Sequence, residues 1–276
     1  MISAEGALEK MRVHMASLHG GVVSYKLVVG DEQLDLQPGQ SIRIRFDGAI
    51  QCRNCKRPTR KSFQQGYCYP CVTRLAACDL CIVKPERCHY AAGTCREPAW
   101  GEQHCMVPHW VYLANSTGIK VGITRASQGA TRWMDQGAVA ALPVFEVGSR
   151  HYSGLLEVLF AEHVPDKTQW RALLKGDAEP VDLIGCRDRL LETCREKIHE
   201  LEQLFPGACR SLDLPEYHFV YPVLRYPEKV SSLSLDRQNL IHGEIWGIKG
   251  QYLLLDSGVL NIRAMTSYMV AVEIDS

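Results

Sequence analysis

The chain has 276 residues, of which 46% are hydrophobic and 22% charged, and its 31 basic and 31 acidic side chains give a formal net charge of zero. That length is enough for a real core and for two or more folding units. No apolar run is long enough to span a bilayer and the first residues lack the apolar stretch of a secretion signal, so neither a membrane partner nor export is expected.

Residues 1–50 read mainly as strands. Gly21 to Val29 is β-branched and partly alternating, and Ser41 to Phe46 alternates cleanly with Ile42, Ile44 and Phe46 on one face. Gly30-Asp31 and Pro38-Gly39 punctuate them.

Nine of the twelve cysteines then fall between Cys52 and Cys105. Cys52-Arg-Asn-Cys55 and Cys68-Tyr-Pro-Cys71 are two C-x-x-C pairs at zinc-ribbon spacing; each pair presents two thiolates, and together they close a tetrahedral shell around one structural Zn²⁺. A redox C-x-x-C is the competing reading, which a second pair at this distance disfavours. Cys81, Cys88, Cys95 and Cys105 form the preferred ligand set of a second zinc, with Cys78, His89, His104 and His109 as candidate substitutes. The turn-rich Ala91 to Pro98 has too few core residues to order itself, which favours a metal there. Clustered thiols without an export signal point to the reducing cytoplasm.

From Cys52 to Leu75 there are also Arg53, Lys56, Arg57, Arg60, Lys61 and Arg74 but no acidic residue, with Phe63, Tyr67 and Tyr69 interleaved. Basic groups neutralise phosphates and aromatic rings stack on unpaired bases, so DNA or RNA is the expected partner. The bland alternative is a solvated basic surface over tyrosines packed beneath the metal.

Downstream, Trp110 to Ala114 and Gly118 to Ile123 are two short apolar strands joined by an Asn115-Ser-Thr-Gly118 turn. A short helix follows over Thr131–Gln136, then a strand from Ala141 to Val147 and a helix from Gly154 to His163 capped by Ser153. Asp166-Lys-Thr-Gln-Trp170 has the pattern of a helix start, and Cys186 to Leu204 reads as one long amphipathic helix stopped by Pro206-Gly207. The tail returns to strands around Phe219–Leu224, Ile241–Ile248, Gln251–Leu255 and Tyr268–Ile274, which suggests an OB-like or other small barrel; the N-terminal strands completing the same sheet is the alternative.

The middle of the chain resembles the GIY-YIG nuclease superfamily. Trp110-Val-Tyr112 matches its first strand motif, Lys120-Val-Gly122 the second, Arg132 its helical arginine and Glu157 its metal-binding glutamate, over residues 107–170. The resemblance implies phosphodiester hydrolysis with Tyr112 as base, Arg132 as phosphate clamp and Glu157 as ligand of one Mg²⁺ or Mn²⁺. Lys120 stands where the family has tyrosine; a lysine there still binds phosphate but does not replace a phenol. Arg125 and Arg150 add phosphate contacts or are solvated strand-end charges, and Asp135 is a second ligand or an arginine's partner. Over its full length the chain is also similar to an uncharacterised bacterial family joining a cysteine-rich N-terminal region to a GIY-YIG-like domain, through phrases such as Gly66-Tyr-Cys-Tyr-Pro-Cys71 and Lys120 to Arg125. That family implies no reaction.

The expectation is therefore an α+β protein. It has a β segment (1–50), a zinc ribbon with a second cysteine-rich zinc site (51–106), a GIY-YIG-like small antiparallel sheet with flanking helices (107–210) and an all-β barrel-like unit (211–276). Its expected function is that of a zinc-containing nucleic-acid-binding protein with a GIY-YIG-like, metal-dependent phosphodiesterase centre, the alternative being a non-catalytic nucleic-acid-binding adaptor on the same scaffold.

Overall fold

Ile42 and Ile44 alternate with Ser41, Arg43 and Arg45, and the strand they build is buried on one face and hydrogen-bonded on both edges. The structure, a computed structural model, describes residues 1–17, 19–164, 170–176 and 178–275; the helix start expected at 166–169 lies outside these. In chain order the early strands are β1 (Ile2–Ala7), β2 (Arg12–Met15), β3 (His19–Val29), β4 (Glu32–Leu36), β5 (Ser41–Gln51) and β6 (Pro58–Thr59). Helices α1 (Tyr69–Arg74) and α2 (Pro98–His104) enclose three 3-10 turns. Then come β7 (His109–Asn115), β8 (Ile119–Arg125), α3 (Gly129–Asp135), β9 (Ala140–Val147), α4 (Arg150–Ala161), α5 (Trp170–Leu173), α6 (Leu183–Thr193) and α7 (Arg195–Leu204). The tail holds β10 (Cys209–Ser211), β11 (Tyr217–Val220), β12 (Ser232–Leu233), β13 (Leu240–Lys249), β14 (Tyr252–Leu255), β15 (Gly258–Asn261) and β16 (Tyr268–Asp275).

These strands make two eight-stranded sheets in a mixed α+β fold. One runs β1-β16-β5-β13-β14-β15-β12 with β6 on β5; the other runs β2-β3-β11-β9-β7-β8, with β4 on β3 and β10 on β9. The segments 1–50 and 211–276 thus share a sheet, with β5 inserted between β16 and β13. The C-terminal strands do not close a sheet by themselves, and β11 leaves them to pair with β9 and β3. The reason is edge satisfaction: β13 and β16 each need a neighbour for their backbone groups, and β5 supplies both.

Alternation along β7 decides the layering. Tyr112 and Ala114 face a core shared with the first sheet and with Trp133 and Met134 of α3; Val111 and Leu113 face the core under α4, α6 and α7. Two helix boundaries differ from the sequence reading. Helix α4 starts at Arg150 because Ser149, not Ser153, accepts the backbone N–H of Tyr152 at 3.2 Å. The long helix expected over Cys186–Leu204 is two helices that meet at Cys194, the first capped by Asp182 on Gly185 N–H at 2.7 Å.

Candidate functional site

The first C-x-x-C follows directly from β5. Cys52 N–H donates to Arg57 O at 2.9 Å and Lys56 N–H to Cys52 O at 2.8 Å, closing a knuckle in which Lys56 takes φ +60°. The second pair opens α1: Cys68 is its N-cap and Cys71 lies in its first turn. Between them Gly66 at φ +125° lies so close to Ser267 that a Cβ would sit 2.7 Å from the serine Oγ, and Ser267 Oγ donates to Gly66 O at 3.1 Å. The ribbon is thereby fixed against the start of β16.

Ligand atoms of Cys52, Cys55, Cys68 and Cys71 all lie within 4.8 Å of one another, and Cys55 and Cys68 sulfurs are 3.7 Å apart. Four sulfurs at about 2.3 Å from a tetrahedral Zn²⁺ stand about 3.8 Å apart, so this cluster can hold a metal ion such as zinc. Burial raises the Cys52 thiol, but the backbone N–H groups of Cys55, Cys68 and Asn54 outweigh it and bring it down to about 6. Burial and the neighbouring sulfurs push Cys68 up to about 12. Such a proton-sharing set is emptied of protons by a bound cation.

Cys81, Cys88, Cys95 and Cys105 line a second, small cavity of about 10 Å³. Burial raises Cys81 to about 11, with Asp79 and the other three thiols adding to it. Cys78 faces the first cluster instead: burial and Cys71 raise it to about 11, and its carbonyl accepts from Gln64. Asp79, Cys81 and His89 also approach within 4.8 Å. Asp79 is, however, paired with Arg96 at 2.7 Å, and His89 Nδ1 meets Thr94 Oγ1 at 2.8 Å. Cysteine donors suit a soft metal, but the four thiols of this second set are not gathered within 4.8 Å of one another as those of the first are.

Between these cysteine regions and the β7–β8 hairpin lies a half-open cleft of about 630 Å³. It is lined by Arg53, Arg125, Arg132, Arg150 and Arg263, with Glu157 as the sole carboxylate among its described lining residues. Tyr112 lies beneath it, fully buried, its hydroxyl donating to Gln136 Oε1 at 3.0 Å. Its ring crosses Gly122 on β8 so closely that a Cβ there would sit 2.6 Å from the phenol oxygen, so only glycine fits. Burial raises the Tyr112 pKa, and the adjacent Arg132 guanidinium opposes this. Arg150 is far from a solvated strand-end charge: its Nη2 donates to Ile82 O at 2.6 Å and its backbone N–H to Cys105 O at 2.7 Å. Burial lowers its pKa.

Of the residues singled out in the sequence, Arg132, Glu157, Arg53 and Arg125 meet at this cleft. Lys120 does not: it is two positions nearer the hairpin tip than Gly122, about 7 Å along a strand, and lines a separate hollow with His163 and Arg189. Lys56, Arg57, Arg60 and Lys61 are exposed on the ribbon outside the cleft. Asp135 is no cleft ligand; it pairs with Lys10 at 2.7 Å and accepts from Gln251 at 2.8 Å. Arg263 went unnoticed in the sequence because it arrives from the 3-10 turn before β16, with no local pattern to mark it.

The family described as "Protein of unknown function (DUF2797)" matches residues 39–270, most of the chain. The chain belongs to this family. Membership in DUF2797 carries no reaction with it, so the chemistry has to come from the cleft and the cysteines. No curated protein and no solved structure matches the chain. Among the described residues no helix is long and apolar enough to cross a membrane.

Proposed function

We propose that this DUF2797 chain is a zinc-stabilised cytoplasmic protein that binds nucleic acid in its arginine cleft and cleaves the phosphodiester backbone there as a GIY-YIG-like, metal-dependent endonuclease. The carrying observation is that, among the described residues, five arginines and a single carboxylate, Glu157, line one cleft. Like charges held together are unfavourable unless an anion offsets them, and the planar guanidinium fork matches phosphate oxygens. Two structural zinc ions, on Cys52/Cys55/Cys68/Cys71 and on Cys81/Cys88/Cys95/Cys105, hold two walls of the cleft.

In this reading Arg132 and Arg150 clamp the phosphate and offset the charge that builds on it as the bond breaks. Tyr112 positions Arg132 from below: its buried, protonated phenol gives its hydrogen to Gln136 and its oxygen accepts from the Arg132 guanidinium, which suits holding the arginine better than taking a proton from water. A Mg²⁺ or Mn²⁺ ion at Glu157 would polarise the phosphate. As the single carboxylate in a cleft lined by five arginines, Glu157 would hold such an ion only with further oxygen donors from the substrate's phosphate.

The second reading, a non-catalytic nucleic-acid adaptor, is favoured by the engaged Tyr112 hydroxyl and by Lys120 lying outside the cleft. Cleavage and binding assays on DNA and RNA with Mg²⁺ or Mn²⁺ separate the two. The nuclease reading expects activity in the wild type that is lost in Glu157→Ala and Arg132→Ala. Binding without cleavage, weakened in Arg132→Ala but unchanged in Glu157→Ala, selects the adaptor. No binding at all removes both.

A further inference from the structure

The cleft has more in its lining than phosphate recognition requires. Beside the arginines stand Trp100 and His104 of α2, one helical turn apart, with their rings stacked at 4.2 Å and tilted by only 5°. His104 Nδ1 donates to Trp100 O at 2.9 Å, so the pair is already oriented before anything binds. Next to them Ile82 and Val83 present apolar surface, and Val83 is 71% exposed. A site for phosphate alone gains nothing from a flat aromatic plate and an uncovered valine; a nucleobase gains from both.

Size narrows the ligand further. The cleft volume of about 630 Å³ falls in the range of roughly 300–1,000 Å³ that encloses a small ligand. A duplex does not enter such a space, whereas one nucleotide turned out of a strand does. The guanidinium groups are also spread rather than gathered at one point. Arg263 has Arg132, Asp135 and Arg53 as charged neighbours, and Arg150 has Glu157 and Arg132. Arg53 thus neighbours Arg263, Arg263 neighbours Arg132, and Arg132 neighbours Arg150, so the cleft offers guanidinium groups to more than one phosphate.

We infer that the cleft takes single-stranded nucleic acid, with one unpaired base against Trp100 and the flanking phosphates on the cleft's arginines. This rests on the reading of the cleft as a phosphodiester site and names its substrate class. Base pairing would keep the base from the aromatic plate, so duplex is the wrong substrate for this wall.

Fluorescence anisotropy on the full-length, zinc-loaded protein without added Mg²⁺ tests it. The probes are a short labelled single strand of DNA or RNA, the matching duplex, and an abasic strand with the same number of phosphates. The expected result is at least about tenfold tighter binding of the single strand than of the duplex or the abasic strand. Trp100→Ala and Trp100→Leu should each weaken single-strand binding by roughly 5- to 150-fold, the span of one base–aromatic stack, while Trp100→Phe retains most of it. The abasic arm uses the unaltered protein, so the outcome stands even if a Trp100 variant folds poorly. Equal binding of all three probes, all weakened by Arg132→Ala, overturns the inference and leaves a phosphate-only cleft. Absence of binding to every probe overturns the phosphodiester reading as well.

Discussion

His109 shows how one side chain ties pH to the fold around the cleft. It is fully buried at the start of β7, opposite Arg125, with Nδ1 on Val107 O at 2.7 Å and no partner for Nε2 among the described residues. Burial, joined by the nearby Arg150 and Arg125 charges, lowers its pKa to about 4 despite the Val107 contact. The unfolded imidazole titrates near 6.5, so between these values the unfolded chain binds the extra proton. The neutral histidine's contribution is therefore complete above about pH 6.5, is lost as pH falls toward 4, and then levels off. The stability difference between wild type and His109→Gln should shift against the wild type by on the order of 3 kcal/mol across this window. Denaturant titrations at each pH measure it, and protonation of cysteine ligands cancels because both proteins carry them. A difference that stays constant with pH would refute the assignment.

At the scale of elements, the ribbon was legible because its chemistry is local: two C-x-x-C pairs specify a knuckle and a helix start whatever surrounds them. The β7–β8 hairpin was legible for the same reason, its Asn115 side chain accepting the Gly118 N–H at 3.1 Å. The cleft was legible only in part. Arg132 and Glu157 sit in an ordered run of strand and helix, but Arg150 owes its place to Ile82 O, and Arg263 to a turn more than a hundred residues away. The second cysteine set depends on long loops, and its spacing alone did not exclude Cys78. Metal content tests that assignment. Native mass spectrometry should find two zinc ions in the wild type and one in either Cys68→Ser or Cys81→Ser, with Cys78→Ser retaining both. A serine at Cys68 should also lower the thermal midpoint, since among the described residues α1 and the knuckle share a small core of Cys52, Cys55, Cys68, Cys71, Tyr67 and Leu75. One zinc in the wild type would leave the second cavity as a cluster of free thiols.

For the whole molecule, the sequence pattern indicated strands at both ends but could not rank their partners, because alternation specifies a buried face and leaves the edges open. The partners turn out to be each other. Val270, Val272 and Ile274 of β16 lie in the same core as Ile42 and Ile44 of β5 and Ile241 of β13, and β5 hydrogen-bonds both of its neighbours. The two sheets are in turn joined near α3, where Asp135 takes Lys10 and Gln251 while Gln251 also bonds both backbone groups of Met11. Residues 211–276 therefore lack the strand that fills their own sheet. Expressed alone, this fragment should show no cooperative thermal transition by circular dichroism and no protected amides in β13 or β16 by hydrogen exchange. Adding a separately expressed 1–106 fragment with zinc supplies β1, β5 and the ribbon, and should restore part of that protection. A fragment 211–276 that unfolds cooperatively on its own would mean that the tail is an autonomous barrel after all. The arginine cleft would then be assembled by docking two finished units, with Arg263 brought in on one of them, rather than by one sheet threaded from both ends of the chain.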